Sequence, residues 1–307
     1  MTPAVAPRTA LEALLPPDDA VPLALVYDTA NLAGLDDQPV RLAIRRAVAA
    51  GDVVQAGRGR AGTVALTDAG RRRLARDRIA LSLAFAQDAG DAPWDGRWHL
   101  VALTVPERER AVRDALRREL LASGAAAVAT SLYVSPHDLT DVLPAQARSA
   151  TATAVATTLD VRGVDDPLVL AETLWPAGPV VAAYDAVTAA LAADDAAGGG
   201  TADGGAGGGT ADDGAADGGA LGGAGGRGAA RTSTTTEGDS AGTVPVAVRQ
   251  LRLADALERA MRDDPLLPPG LRPEPWPPAA ARRTWRARWD ALRALPGGDA
   301  VYRGWLD

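Results

Sequence analysis

Between Gln38 and Ala50 the apolar residues Val40, Ala43, Ile44, Ala47 and Val48 recur at helical spacing and gather on one side of the helix. Gln38, Leu42, Arg45, Arg46 and Ala49 fall on the opposite side, with Arg41 on the flank. This division predicts a helix that packs by one face and leaves the other open. Asp36 or Asp37 is placed to cap it, Pro39 occupies a permitted first-turn position, and Gly51 ends it. Two shorter helical patterns precede it. Ala10–Leu15 is stopped by Pro16 and Pro17, and Leu23–Leu32 carries Leu25, Val26, Thr29 and Leu32 as its apolar stripe. Residues 1–10 are rich in Pro and Ala and are expected to fray.

After Gly51 the period shortens. Asp52–Gln55 and Thr63–Leu66 predict two strands of a hairpin around the loop Gly57-Arg58-Gly59-Arg60-Ala61-Gly62. Thr67 is placed to cap a helix from Asp68 to about Gln87. Three helices followed by a two-stranded wing predict a winged helix-turn-helix over residues 8–87. Beyond a break at 88–93, Trp98–Val105 predicts a buried strand. Arg108–Ser123 predicts an amphipathic helix with Val112, Ala115, Leu116 and Leu120 on one face and Glu119 at its edge. Val128–Ser135 predicts a second strand, 138–150 a second helix, and Thr151–Val161 a third strand. That order suits a ferredoxin-like α/β sandwich, assigned to residues 94–192 together with the helical stretch Pro167–Leu191.

Residues 193–243 hold 18 of the 33 glycines and eight acidic residues, and the only large aliphatic before the terminal valine is Leu221. Such a segment buries too little apolar surface to offset its ordering entropy, and it is expected to be a disordered linker. Val244–Arg262 and Ala279–Leu295 predict two helices joined by a proline-rich connector. They form a C-terminal helical domain over residues 244–307. The whole is an α+β chain.

Charge sharpens the picture of the first open helix face. The chain carries a formal net charge of -7, yet the stretch from Gln38 to Arg78 has ten arginines against three aspartates. A basic island in an acidic chain predicts a local polyanion-binding face, with double-stranded DNA the expected partner. Gln38, Arg41, Leu42, Arg45 and Arg46 would lie toward the bases, because guanidinium groups pair with guanine edges and phosphates. Arg58 and Arg60 on the wing would meet phosphates or the minor groove. Arg71–Arg73 either extend this face or open a solvated helix. All 32 basic residues are arginine, which together with the abundant Ala, Gly, Asp and Pro reflects a compositional bias rather than a choice against lysine.

Composition also narrows the chemistry. Cysteine is absent, which removes disulfides and thiolate metal sites. His99 and His137 are the only histidines, and no close acidic partners accompany them at ligand spacing. The strand Trp98–Val105 carries no acidic residue to hold a catalytic metal, and no G-x-S-x-G motif occurs, so no enzyme activity is expected. The glycine runs lack the strand and lysine of a phosphate-binding loop. No leader and no run of eighteen apolar residues is present, so a cytoplasmic location without membrane contact is expected.

Three separated blocks resemble the PaaX-type transcriptional repressors of phenylacetate catabolism. The central block is WDGRWHLVALTVPE (Trp94–Glu107), the helix RERAVRDALRRELLASG and SLYVSP (Ser131–Pro136). The C-terminal block is DPLLPPGLRPEPWPPAAAR (Asp264–Arg282), and the N-terminal block is VRLAIRRAVAAGDVV with GRGRAGTVALTDAGRRRL. The resemblance implies a dimeric DNA-binding repressor with a ferredoxin-like central domain and an acyl-CoA effector such as phenylacetyl-CoA. Trp276, Trp285 and Trp289 either pack in a core, as buried aromatics mostly do, or line the effector cleft, in which case the adjoining Arg282 and Arg283 would receive the coenzyme's phosphates. Leu42 stands where the family usually carries a polar residue. That departure keeps a second expectation in view, a metabolite-sensing or scaffold protein without specific DNA binding.

Overall fold

The computed structural model describes residues 5–140, 143, 149–198 and 244–305. The N-terminal part begins with helix α1 (Pro7–Glu12), the two-residue strand β1 (Val21–Pro22), and helices α2 (Leu23–Leu32) and α3 (Asp37–Ala49). Strands β2 (Val53–Ala56) and β3 (Thr63–Leu66) follow, then the long helix α4 (Asp68–Ala89). The sheet order is β1-β3-β2, antiparallel throughout. Strand β1 was not foreseen. It pairs Val21 with Val64 and closes the free edge of the hairpin.

The apolar stripe of α2 is rotated from the expected one. Leu23, Val26, Tyr27 and Ala30 are buried, whereas Leu25 and Leu32 are 50% and 62% exposed. Val26 and Thr29 are buried as expected, but the i, i+3, i+4, i+7 pattern starts at Leu23, and the expected stripe is rotated by roughly a third of a turn. The start of the chain is anchored rather than frayed from Val5 onward. Val5 is buried, Ala6 N donates to Asp255 Oδ1 at 2.8 Å, and the Thr9 hydroxyl donates to Glu258 at 2.9 Å.

The central sheet contains β4 (Trp98–Leu103), β5 (Ala126–Ala129), β6 (Leu132–Ser135) and β7 (Thr151–Ala156), with α5 (Arg110–Ala122) between β4 and β5. Its order is β5-β6-β4-β7 with every neighbouring pair antiparallel, which is the split β-α-β arrangement expected of a ferredoxin-like unit. The single strand expected at Val128–Ser135 is instead a hairpin, turning at Thr130 and Ser131. The second helix expected within 138–150 falls largely outside the described residues.

Alternation along the strands sends Val101, Leu103 and Tyr133 against Leu116 and Leu120 of α5. Trp98, Leu100 and Val134 point the other way. There they meet Leu170 of α6 (Pro167–Leu174), Trp175, and Leu267 and Leu271 of the proline-rich connector.

Two expected boundaries move. Helix α7 (Ala177–Gly198) runs through the start assigned to the linker. Asp194 accepts from Arg249 at 2.6 and 2.9 Å and from Arg288 at 2.5 Å, which ties this end of α7 to its neighbours. The remainder of the expected linker, 199–243, lies outside the described residues. Helix α7 also packs on α8 (Val246–Met261) and α9 (Pro277–Arg293) rather than on the central sheet. Moreover, the N-terminal and C-terminal parts are not separate units, because one continuous core joins α1–α4 with α7, α8 and α9. The tail completes it, with Tyr302 N donating to Ala13 O at 2.6 Å and the Trp305 indole donating to Leu15 O at 2.8 Å. Among the described residues no single helix is long and apolar enough to cross a membrane.

Candidate nucleic-acid interface

The interface is built from α3 and the hairpin that follows it. Val40 and Ile44 are buried, and Ala43 and Ala47 are half-buried, so α3 is held by the face that its apolar spacing defines. Gln38, Arg41, Leu42, Arg45, Arg46 and Ala49 are all exposed, as expected. Val48 departs from expectation, being 42% exposed at the edge of the open arc. Gly51, with φ 76°, lets the chain turn out of the helix into β2, where Val53 re-enters the core.

The wing loop is held, not free. Arg60 ion-pairs with Asp28 of α2 and reaches Asp37 at the start of α3 at 3.3 Å and Asn31 at 3.2 Å, while its guanidinium lies 5.4 Å from the Tyr27 ring centre. These carboxylates keep the guanidinium pKa above its ordinary value. Arg60 was expected to contact DNA. It instead clamps the wing to the two helices, because two aspartates already satisfy its charge.

Arg71 and Arg73 resolve in the same sense. Arg71 donates to Pro17 O at 3.2 Å and to Leu66 O at 3.1 Å, and it pairs with Asp68. Arg73 pairs with Glu12 at 2.6 Å and with Asp52 at 3.0 Å. Both hold α4 to the N-terminal part, and only Arg72 of the three is exposed.

By contrast, Arg41, Arg45, Arg46 and Arg58 are exposed and have no ion-pair or hydrogen-bond partner among the described residues. Arg41 and Arg45 from α3 and Arg58 from the wing line one cleft of about 340 Å³, floored by Leu23, Tyr27 and Ile44. Three cations without ion-pair partners therefore share a concave surface with Gln55 and the Arg60–Asp37 pair, and Arg46 continues the charge along α3.

The expected effector residues do not assemble. Arg282 is 1% exposed and spends its donors internally: on Asp88 at 2.6 and 2.8 Å, Asp264 at 3.1 Å and the Tyr184 hydroxyl at 2.6 Å. Burial opposes the charge, but Asp88, Tyr184 and Asp264 outweigh it and hold the Arg282 pKa above its ordinary value. Four of its five N–H groups are committed inside the fold, and at this burial it is out of reach of a phosphate. Trp285 is buried, stacks on Trp289 at 5.0 Å and donates its indole N–H to Leu253 O at 2.8 Å. Trp276 is covered by Arg272, 5.7 Å from its ring centre, and only Arg283 faces solvent. These aromatics are core, not cleft.

His137 is also committed, its Nε2 lying 2.8 Å from Leu266 O, and burial lowers its pKa. The anchors of the wing, Asp28, Asn31 and Tyr27, were not foreseen. Their one sequence signal is that they share a helix with no other stated use.

Comparison with known proteins bears on the central unit. No curated protein matches the chain. A solved structure, the uncharacterized protein Rv0674 from Mycobacterium tuberculosis, is similar over 94% of this chain and 96% of its own, at 21% identity and a TM-score of 0.47. Residues 91–167 match the family model described as the PaaX protein central Cas2-like domain. That span contains the sheet order derived above and the two central motifs, WDGRWHLVALTVPE and SLYVSP. The central sheet unit of this chain is thus similar to the PaaX central Cas2-like domain.

Proposed function

We propose that the chain is a DNA-binding transcriptional regulator, with α1–β1–α2–α3–β2–β3 acting as a winged helix-turn-helix and α3 entering the major groove. One observation carries it: Arg41, Arg45 and Arg58 are unpaired and line a single cleft between helix and wing in a chain of net charge -7. The PaaX-type central domain supports the reading, since regulators of that family act on phenylacetate-type operons. On the same basis the expected assembly is a homodimer on a palindromic operator, and the expected effector is an acyl-CoA ester such as phenylacetyl-CoA.

The test is a gel shift of the full chain on the DNA upstream of its own reading frame, repeated at several salt concentrations. Binding should weaken steeply with salt, because each neutralised phosphate releases counterions. The double variant Arg45→Ala/Arg46→Ala should lose about 100-fold or more in operator affinity, since each bidentate contact contributes on the order of 1–3 kcal/mol. Both side chains are exposed and unpaired, so the fold should be unaffected. Wild-type affinity in that variant would remove α3 as the reading element. Equal affinity for operator and random DNA, with a thermal midpoint raised by acyl-CoA esters, would favour the metabolite-sensing alternative.

A further inference from the structure

We infer that Leu42 reads the 5-methyl group of a thymine in the major groove and makes a T-containing step part of the recognised half-site. The inference deepens the DNA-binding proposal and rests on it. Leu42 is 46% exposed, although Val40 and Ile44 on the same helix are at most 2% exposed and already fill the packing face. It therefore has no role in the core. Its neighbours on the helix surface are Gln38 and Pro39 one turn before, and Arg45 and Arg46 one turn after.

A leucine bordered by an amide, two guanidinium groups and Pro39 is a poor protein-docking patch, because no second large aliphatic side chain adjoins it on α3. It is a good fit to the major groove, where the thymine methyl is the one apolar group that a base edge presents. Gln38 would then pair with an adenine, and Arg45 or Arg46 with a guanine, on base pairs flanking that thymine. Apolar contact and hydrogen-bond readout would alternate along one helix face. Gly51 and the clamped wing fix the angle of that face, because Arg60 ties the wing loop to Asp37 in the first turn of α3.

The experiment uses the full chain and duplexes enriched from a random pool by repeated binding. Each thymine of the enriched site is replaced in turn by deoxyuridine, which keeps the Watson–Crick pair and removes only the C5 methyl. At one thymine per half-site the wild type should lose about 3- to 10-fold in affinity, and Leu42→Ala should show the lower affinity already and no further loss at that position. Leu42→Asn should shift the enriched base there toward adenine. If an enriched site emerges but no thymine depends on its methyl, or if Leu42→Ala keeps the wild-type dependence, the inference is wrong while the DNA-binding reading stands. If no sequence is enriched and all duplexes bind alike, both fall together.

Discussion

Arg282→Ala should lower the free energy of unfolding by about 3–5 kcal/mol, read as a shift of the urea midpoint at unchanged slope. Arg282 is the hub of a buried ionic network joining four elements. Asp88 at the end of α4 accepts two of its N–H groups, Asp264 in the connector a third, and Tyr184 of α7 shares Nη1. Arg272 adds a longer contact to Asp88 at 3.3 Å. The side chains of Asp88 and Asp264 are each 2% exposed. Truncating the arginine leaves Asp88 with one distant cation and Asp264 with none, both still out of water. The cost is set by the stranded carboxylates and not by the attraction lost. Arg282→Lys retains the charge but not the planar fork that grips Asp88 with two N–H groups, and should lose part of that free energy.

The same residue shows where sequence reasoning stops. An arginine beside tryptophans reads equally well as a ligand contact or as a buried clamp. The distinction lies in partners 194, 98 and 18 residues away, and no local pattern encodes them. The open face of α3 was legible because its origin is local: two buried residues, Val40 and Ile44, fix the rotation of the helix, and apart from Val48 the other side chains follow from the 3.6-residue period. Where the apolar signal was diluted by small residues, the phase slipped. Alanine contributes little to either face, so Leu25 and Leu32 were taken for the α2 stripe in place of Leu23 and Ala30. The β5–β6 hairpin was hidden because Thr130 and Ser131 pass equally as strand or turn residues. The end of α7 was hidden by composition. Asp194 and Asp195 sit at the edge of a glycine-rich tract, and only their pairing with Arg249 and Arg288 shows that the helix continues through them. The wing arginines divided for a similar reason. Arg58 and Arg60 are two residues apart in one loop, yet Arg60 meets two aspartates and Arg58 meets none.

Gly70→Ala should destabilise the protein by about 1–3 kcal/mol, although glycine to alanine inside a helix ordinarily stabilises by roughly 1 kcal/mol. The sign reverses because of one close approach. A Cβ at residue 70 would stand 2.0 Å from Asp52 O and 2.9 Å from Asp52 C, atoms of the backbone that cannot swing aside. The junction is otherwise fixed. Thr67 N donates to Asp52 O at 2.9 Å, the Thr67 hydroxyl donates to Gly51 O at 2.6 Å, and it accepts from Gly70 N at 3.1 Å as the cap of α4. Arg73 holds the Asp52 carboxylate from the next turn at 3.0 Å, and Asp52 N donates to Ala47 O of α3 at 2.9 Å. An added methyl must push the first turn of α4 off the turn between α3 and β2, so cap, ion pair and the start of the wing are displaced together. Gly178 in α7 is the internal control, because a Cβ there meets nothing within 4 Å. Gly178→Ala should change stability little, because the lowered entropy of the unfolded chain is opposed by the contact of an added Cβ with the ring of Pro179. A lowered thermal midpoint in Gly70→Ala beside little change in Gly178→Ala would attribute the Gly70 loss to the contact with Asp52. A Gly70→Ala protein as stable as the wild type would show that α4 does not sit this close to the α3–β2 turn.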